Sequence, residues 1–147
     1  AEQIPAGDFQ LMSAGSGIRH SEYNPSQTDP LSLLQIWIEP NEFGTPPGYQ
    51  QKKIESRPGM TLVASPDGEA GSLRIRQQAR VWRLELAPGE TLEWALAGRH
   101  GYLQMISGEL TANGLAARPG DGVLSRDEYR WELVATSASQ ALLFDLP

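Results

Sequence analysis

Strict alternation of apolar and polar residues, cut into short pieces by turn chemistry, constrains this chain more than any other feature. Val81–Leu86 reads VWRLEL and Arg130–Val134 reads RWELV. A period of two places every second side chain on one face of a strand, so each stretch predicts a half-buried strand. Between such stretches lie the sequences Pro88–Glu90 (PGE), Asn113–Gly114 (NG) and Pro119–Gly122 (PGDG), which supply the backbone conformations of tight turns. With 15 glycines and 11 prolines in 147 residues, the chain is built for many turns. No amphipathic helix is legible; Pro66–Ala79 has room for one helical turn. The fold class expected is all-β, a barrel or sandwich of short strands. Candidate strands include Phe9–Met12, Ile18–Tyr23, Leu31–Ile38, Thr61–Ala64, Ala79–Leu86, Tyr102–Ile106 and Gln140–Leu146.

Residues 39–59 break the strand pattern. Four prolines and three glycines gather there with few apolar residues. The stretch reads as a linker between two β units, against the competing reading of one long loop within a single barrel. An internal echo favours two units. Pro5–Glu22 (PAGDFQLMSAGSGIRHSE) resembles Arg118–Val134 (RPGDGVLSRDEYRWELV): proline, Gly-Asp, an apolar step, a polar turn, a strand. The second copy is preceded by a strand, turn, strand, turn run at Leu103–Ala117; the first is not. The organisation expected is residues 1–39 as the remainder of a first unit, 40–59 as the linker and 60–147 as a complete second unit.

Charge and composition exclude several functions. A net charge of −6 and no basic cluster argue against binding a nucleic-acid backbone. With no cysteine there is no disulfide, thiolate catalyst or thiolate metal site. No apolar run approaches a membrane span, and the expected location is the cytoplasm. No serine sits in a nucleophile elbow, and Gly15–Gly17 lacks the lysine and pattern of a phosphate loop. The tryptophans Trp37, Trp82, Trp94 and Trp131 all fall in strand patterns, where core packing is the default.

The chemistry-bearing feature is His20-Ser21-Glu22, after the glycine-rich Ala14–Gly17. On a strand, His20 and Glu22 would project from the same face, about 6.6–6.8 Å apart along the chain. An imidazole and a carboxylate together suit a divalent transition metal; two such residues also form an ordinary hydrogen-bonded pair. A metal centre needs at least three ligands. The second histidine, His100, precedes a strand of the second unit and reads as a turn residue. In the echo, Arg130 and Trp131 stand near the place of His20, and arginine is no metal ligand, so the second unit is expected to be metal-free.

Taken together, PAGDFQLMSAGSGIRHSEYNPS (Pro5–Ser26), LLQIWIEP (Leu33–Pro40), PPGYQQKK (Pro46–Lys53) and the closing ALLFDLP resemble the pirin family of the cupin superfamily, in particular bacterial pirin-like quercetin 2,3-dioxygenases. The resemblance implies a bicupin, here with an incomplete N-terminal barrel and a metal-free C-terminal one. It implies a divalent metal, iron first, with His20 and Glu22 as two of its ligands and Glu22 also as the catalytic base. The other two ligands of the family come from an H-x-H motif that this chain does not contain. The activity implied is oxygenation of a flavonol or related enediol. A non-enzymatic regulator, or a metal-free remnant serving in assembly, is the alternative. The chain is expected to be either a piece of a longer protein or a truncated form. In the latter, partners or a second copy would cover unpaired strands.

Overall fold

The computed structural model describes residues 3–98 and 100–147. Among them are twelve strands and one short 3-10 turn, Glu69–Gly71, and no helix long and apolar enough to cross a membrane. The strands are β1 (Asp8–Ser13), β2 (Gly48–Lys53), β3 (Gly59–Ser65), β4 (Leu73–Arg74), β5 (Arg80–Leu86), β6 (Thr91–Ala95), β7 (His100–Ser107), β8 (Leu110–Ala112), β9 (Leu115–Ala117), β10 (Gly122–Ser125), β11 (Arg130–Ala135) and β12 (Ser139–Leu146). The all-β expectation holds.

A six-stranded sheet, ordered β10-β7-β12-β5-β3-β4, packs on a four-stranded one, ordered β6-β11-β8-β9. The expected alternation produces the core between them. Trp131, Leu133 and Ala135 of β11 are buried while Arg130 and Glu132 are exposed. They join Leu84 and Leu86 of β5, Leu103 and Met105 of β7, and Ala141 and Leu143 of β12 in one apolar cluster. Trp82, Trp94 and Trp131 meet edge to face within it, with ring centroids 5.8 and 5.6 Å apart, the arrangement that aromatic quadrupoles favour. Trp94 and Trp131 are core residues, as expected, and the half-buried Trp82 packs against them. Trp37 is not: it is 90% exposed.

The turns match their sequences. Asn113 and Gly114 have φ of 48° and 80°, the double positive φ of a two-residue hairpin, and join β8 to β9. The echo survives as a shared turn. Asp8 N–H donates to the Pro5 carbonyl with Gly7 at φ 88°; Asp121 N–H donates to the Arg118 carbonyl with Gly120 at φ 91°. Each turn launches a strand, β1 in one case and β10 in the other.

The six-stranded sheet is covered on its second face as well. Val81, Leu142 and Phe144 cluster there with Ala64, Leu73, Ile75 and Ala79, and Phe9, Leu11 and Ile38 pack against them. Phe9 and Leu11 belong to β1, which pairs antiparallel with β2 in a separate two-stranded sheet. Polar contacts fasten that sheet down. The Gln50 side-chain amide donates to the Arg74 carbonyl (2.8 Å) and accepts the Arg74 N–H (3.0 Å), extending the edge at β4. Lys52 Nζ donates to the carbonyls of Gly71 and Ser72, and Arg83 to that of Ile54. Arg83 also lies over the Phe9 ring, 5.7 Å from its centroid.

Two strand expectations fail. Ile18–Tyr23 and Leu31–Ile38 form no strand. A strand needs a neighbour to take its backbone hydrogen bonds, and no described strand pairs with either segment. Most of their apolar side chains stand in solvent: Leu31, Leu33, Leu34 and Ile36 are all exposed, and only Ile38 packs on the second cluster. Within residues 40–59, read as linker, lies β2.

Two substitutions separate frame from periphery. Leu143, fully buried in the cluster between the two sheets, leaves a cavity there when shortened, so Leu143→Ala should cost about 3 kcal/mol in urea unfolding. Leu33→Ala, at an exposed position, should stay within about 0.5 kcal/mol.

Candidate functional site

The path to His20 and Glu22 begins at β1. The strand ends at Ser13, and the chain reverses through Ala14–Gly17, where Gly17 N–H donates to the Ala14 carbonyl (2.8 Å). Gly15 is required here. Its φ is 53°, and a Cβ on it would collide with the carbonyl oxygen of Thr45. Ser16 N–H donates to that same oxygen (2.9 Å), so residues 15–16 are clipped to residues 45–46. Arg76 completes the clip by donating to the Thr45 hydroxyl and the Pro46 carbonyl.

Beyond the clip the chain carries His20 and Glu22 on an exposed, non-strand segment. The common-face argument therefore does not apply to them as it would on a strand. Glu22 is nevertheless held. Gln10 Nε2 on β1 donates to Glu22 Oε1 at 2.5 Å, and Gln35 Nε2 donates to Glu22 Oε2 at 3.0 Å. Two neutral amides thus fix both carboxylate oxygens and tie three segments together. Each oxygen keeps a further lone pair. Neither glutamine stands out in the sequence as a site residue: they lie 12 and 13 residues from Glu22, and an amide side chain carries no titratable or metal-ligating signal. The segment that follows is folded on itself by an Asx turn. The Asn24 carboxamide accepts the Ser26 N–H (3.0 Å) and donates to the Asp29 carbonyl (2.6 Å).

An imidazole nitrogen and a carboxylate have the right donor chemistry for a divalent transition metal. Their number does not suffice. Among the described residues, no three His, Asp or Glu side chains gather where an ion could sit. The described residues do not by themselves fit a metal centre.

The second unit contains no equivalent of the pair. Where the echo aligns His20, Trp131 is buried at 1% exposure and fills the interior, its ring packed against Gly101 of β7. His100 begins β7 opposite Leu146 of β12. A buried carboxylate of this unit is structural. Asp145, 4% exposed, accepts the N–H groups of Ala97 (2.8 Å) and Gly98 (2.6 Å) and thereby closes the β6–β7 connection.

Known proteins share this architecture. Residues 62–146 match the family described as the quercetinase C-terminal cupin domain, and residues 1–38 match the family described as pirin. A quercetin 2,3-dioxygenase of Escherichia coli K12 is 46% identical over 99% of this chain. The pirin-like protein YhaK of the same organism is 37% identical over 99%. The chain spans 64% of the length of each. The crystal structure of the bacterial pirin YhhW from Escherichia coli in complex with nickel(II) superimposes with a TM-score of 0.95, at 46% identity, covering 99% of this chain and 64% of that one.

The clip makes a testable demand. Gly15→Ala should break the contact with Thr45 and Pro46 and loosen residues 18–38 while leaving the two-sheet core intact. Limited proteolysis should then cut within residues 18–38 faster than in the parent, with an unchanged urea midpoint.

Proposed function

Because the chain belongs to the pirin family of cupin proteins, we propose that it carries half of the metal centre of a dioxygenase acting on a flavonol or related enediol. His20 and Glu22 are that half, and the remaining donors come from outside this chain. The observation that carries the reading is the 46% identity with a quercetin 2,3-dioxygenase across nearly the whole chain. The grip of Gln10 and Gln35 on Glu22 supports it, since a carboxylate that must meet a substrate hydroxyl needs a fixed direction. In this reading Glu22 takes the proton of that hydroxyl as the substrate is oxidised, and His20 completes the donor pair. Iron(II) is the first choice of metal; nickel(II) is the ion in the related YhhW crystal. The place of action proposed is the cytoplasm.

A second reading has its own observation. Leu31, Leu33, Leu34, Ile36, Trp37 and Phe43 are exposed along one segment, and exposed apolar side chains gathered in one stretch mark interaction surfaces. In a protein-interaction module this segment would be the contact surface. One stoichiometric partner in a pull-down, without oxygen uptake, would favour that reading.

Elemental analysis and oxygen uptake test the proposal. The chain alone should retain well under one metal ion per molecule. In a polypeptide of the relatives' length that contains this chain, Glu22→Gln should lower flavonol-dependent oxygen uptake by at least about a hundredfold, the scale of a general base. His20→Ala should lower the metal content. A tightly held stoichiometric metal in the chain alone would contradict the half-site. Turnover unchanged by Glu22→Gln would contradict the role of Glu22.

A further inference from the structure

We propose that Asn113 is a self-modification site: when the β8–β9 turn opens, the Gly114 nitrogen displaces the Asn113 side-chain amide, and the product keeps the turn open. This is independent of the His20–Glu22 reading. The reactive pair, Asn113-Gly114, is exposed at the centre of the turn. Asparagine is thermally labile, most of all before glycine, whose backbone nitrogen has no side chain beside it. In the step, the Gly114 nitrogen gives up its proton and attacks the side-chain carbonyl carbon of Asn113. A C–N bond closes a five-membered imide, and the amide nitrogen leaves with that proton as ammonia. Water then opens the imide at either carbonyl, giving aspartate or isoaspartate. Nothing is oxidised or reduced. The surroundings leave room for the ring, since a Cβ on Gly114 would meet nothing within 4 Å.

Two locks hold the step back in the closed turn. The first is the backbone. Asn113 and Gly114 have φ of 48° and 80°, the type I′ arrangement. The imide ring lays Cβ, Cα and the carbonyl carbon of Asn113 in one plane with the Gly114 nitrogen, whereas a type I′ turn points that nitrogen away from Cβ. The second lock is the carboxamide's own bonding. Nδ2 donates to Glu128 Oε2 (2.8 Å) and to the Arg130 carbonyl (3.2 Å), and Oδ1 accepts the Glu132 N–H (2.7 Å). The side chain thereby continues the β8–β11 ladder beyond Ala112 and Leu133. Departure of Nδ2 breaks both of its bonds. The product does not restore them: a carboxylate has no N–H to donate, and its charge lies beside that of Glu128. Isoaspartate also lengthens the turn by one backbone carbon. Among the described strands β9 pairs only with β8, so the hairpin loses its brace against residues 128–130.

The chain is incubated in mildly alkaline buffer, native and unfolded in urea, and peptide mapping by mass spectrometry follows the conversion of amide to acid. Asn113 should convert ahead of Asn24 and Asn41 in both states. Conversion should be at least about tenfold slower in the native chain, the scale of a local opening equilibrium. Glu128→Ala, at an exposed position, removes one acceptor. It should speed native conversion about two- to fivefold, the scale of one hydrogen bond, and leave the unfolded rate unchanged. Asn113→Asp, the product itself, should speed amide hydrogen exchange across residues 115–117. The proposal is overturned if the native chain converts as fast as the unfolded one, or if Asn24 or Asn41 converts first. It is equally overturned if Glu128→Ala leaves the native rate unchanged, or if Asn113→Asp exchanges like the parent.

Discussion

The burial of β12 on both faces is the constraint on which the rest of the structure depends. Ala141 to Asp145 are all buried in succession. Ala141 and Leu143 face the four-stranded sheet, Leu142 and Phe144 face the N-terminal segment, and Asp145 holds the β6–β7 connection. The strand is flanked by β5 and β7 through seven paired positions on each side. A two-sheet sandwich has to bury only one face of each sheet. This chain buries part of the second face as well, and that second surface is where β1 and β2 attach.

The attachment explains the state of the His20–Glu22 segment. β1 contributes Phe9 and Leu11 to the second face, and β2 is fastened by Gln50 and Lys52. Between the two strands, residues 14–47 run without a sheet of their own. They are positioned by the clip at Gly15 and Thr45, the Asx turn at Asn24 and the two amides on Glu22. Side-chain and turn hydrogen bonds here do the work that a ladder does elsewhere. Such contacts fix a carboxylate's direction, but a segment of this kind buries little and exposes Leu33, Trp37 and Phe43. The chain spans 64% of the length of the quercetin 2,3-dioxygenase it matches.

Local signals in the sequence translated directly into structure where local interactions decide. The alternation of RWELV became the in-and-out pattern of β11, and Asn113-Gly114 became the hairpin turn. The echo between Pro5–Asp8 and Arg118–Asp121 is the same turn built twice. Pairing is not local, and there the reading fell short. Ile18–Tyr23 has the composition of a strand, but composition cannot supply the strand beside it. Gly48–Lys53, read as part of the linker because prolines and glycines gather in residues 39–59 with few apolar residues, forms β2, since β1 lies alongside it. The pair His20 and Glu22 stood out in the sequence through residue type and spacing. Gln10 and Gln35 carry no such mark, and only the fold brings them to the carboxylate.

Backbone amide hydrogen exchange tests this division most directly. Exchange reports the free energy of opening residue by residue. Strands β5, β7 and β12 should exchange slowest, with the interior of β12 at the global unfolding limit. Residues 18–23 and 31–37 should exchange at nearly the rate of an unfolded chain. Strong protection in those two segments, or rapid exchange at Leu142–Phe144, would contradict the account.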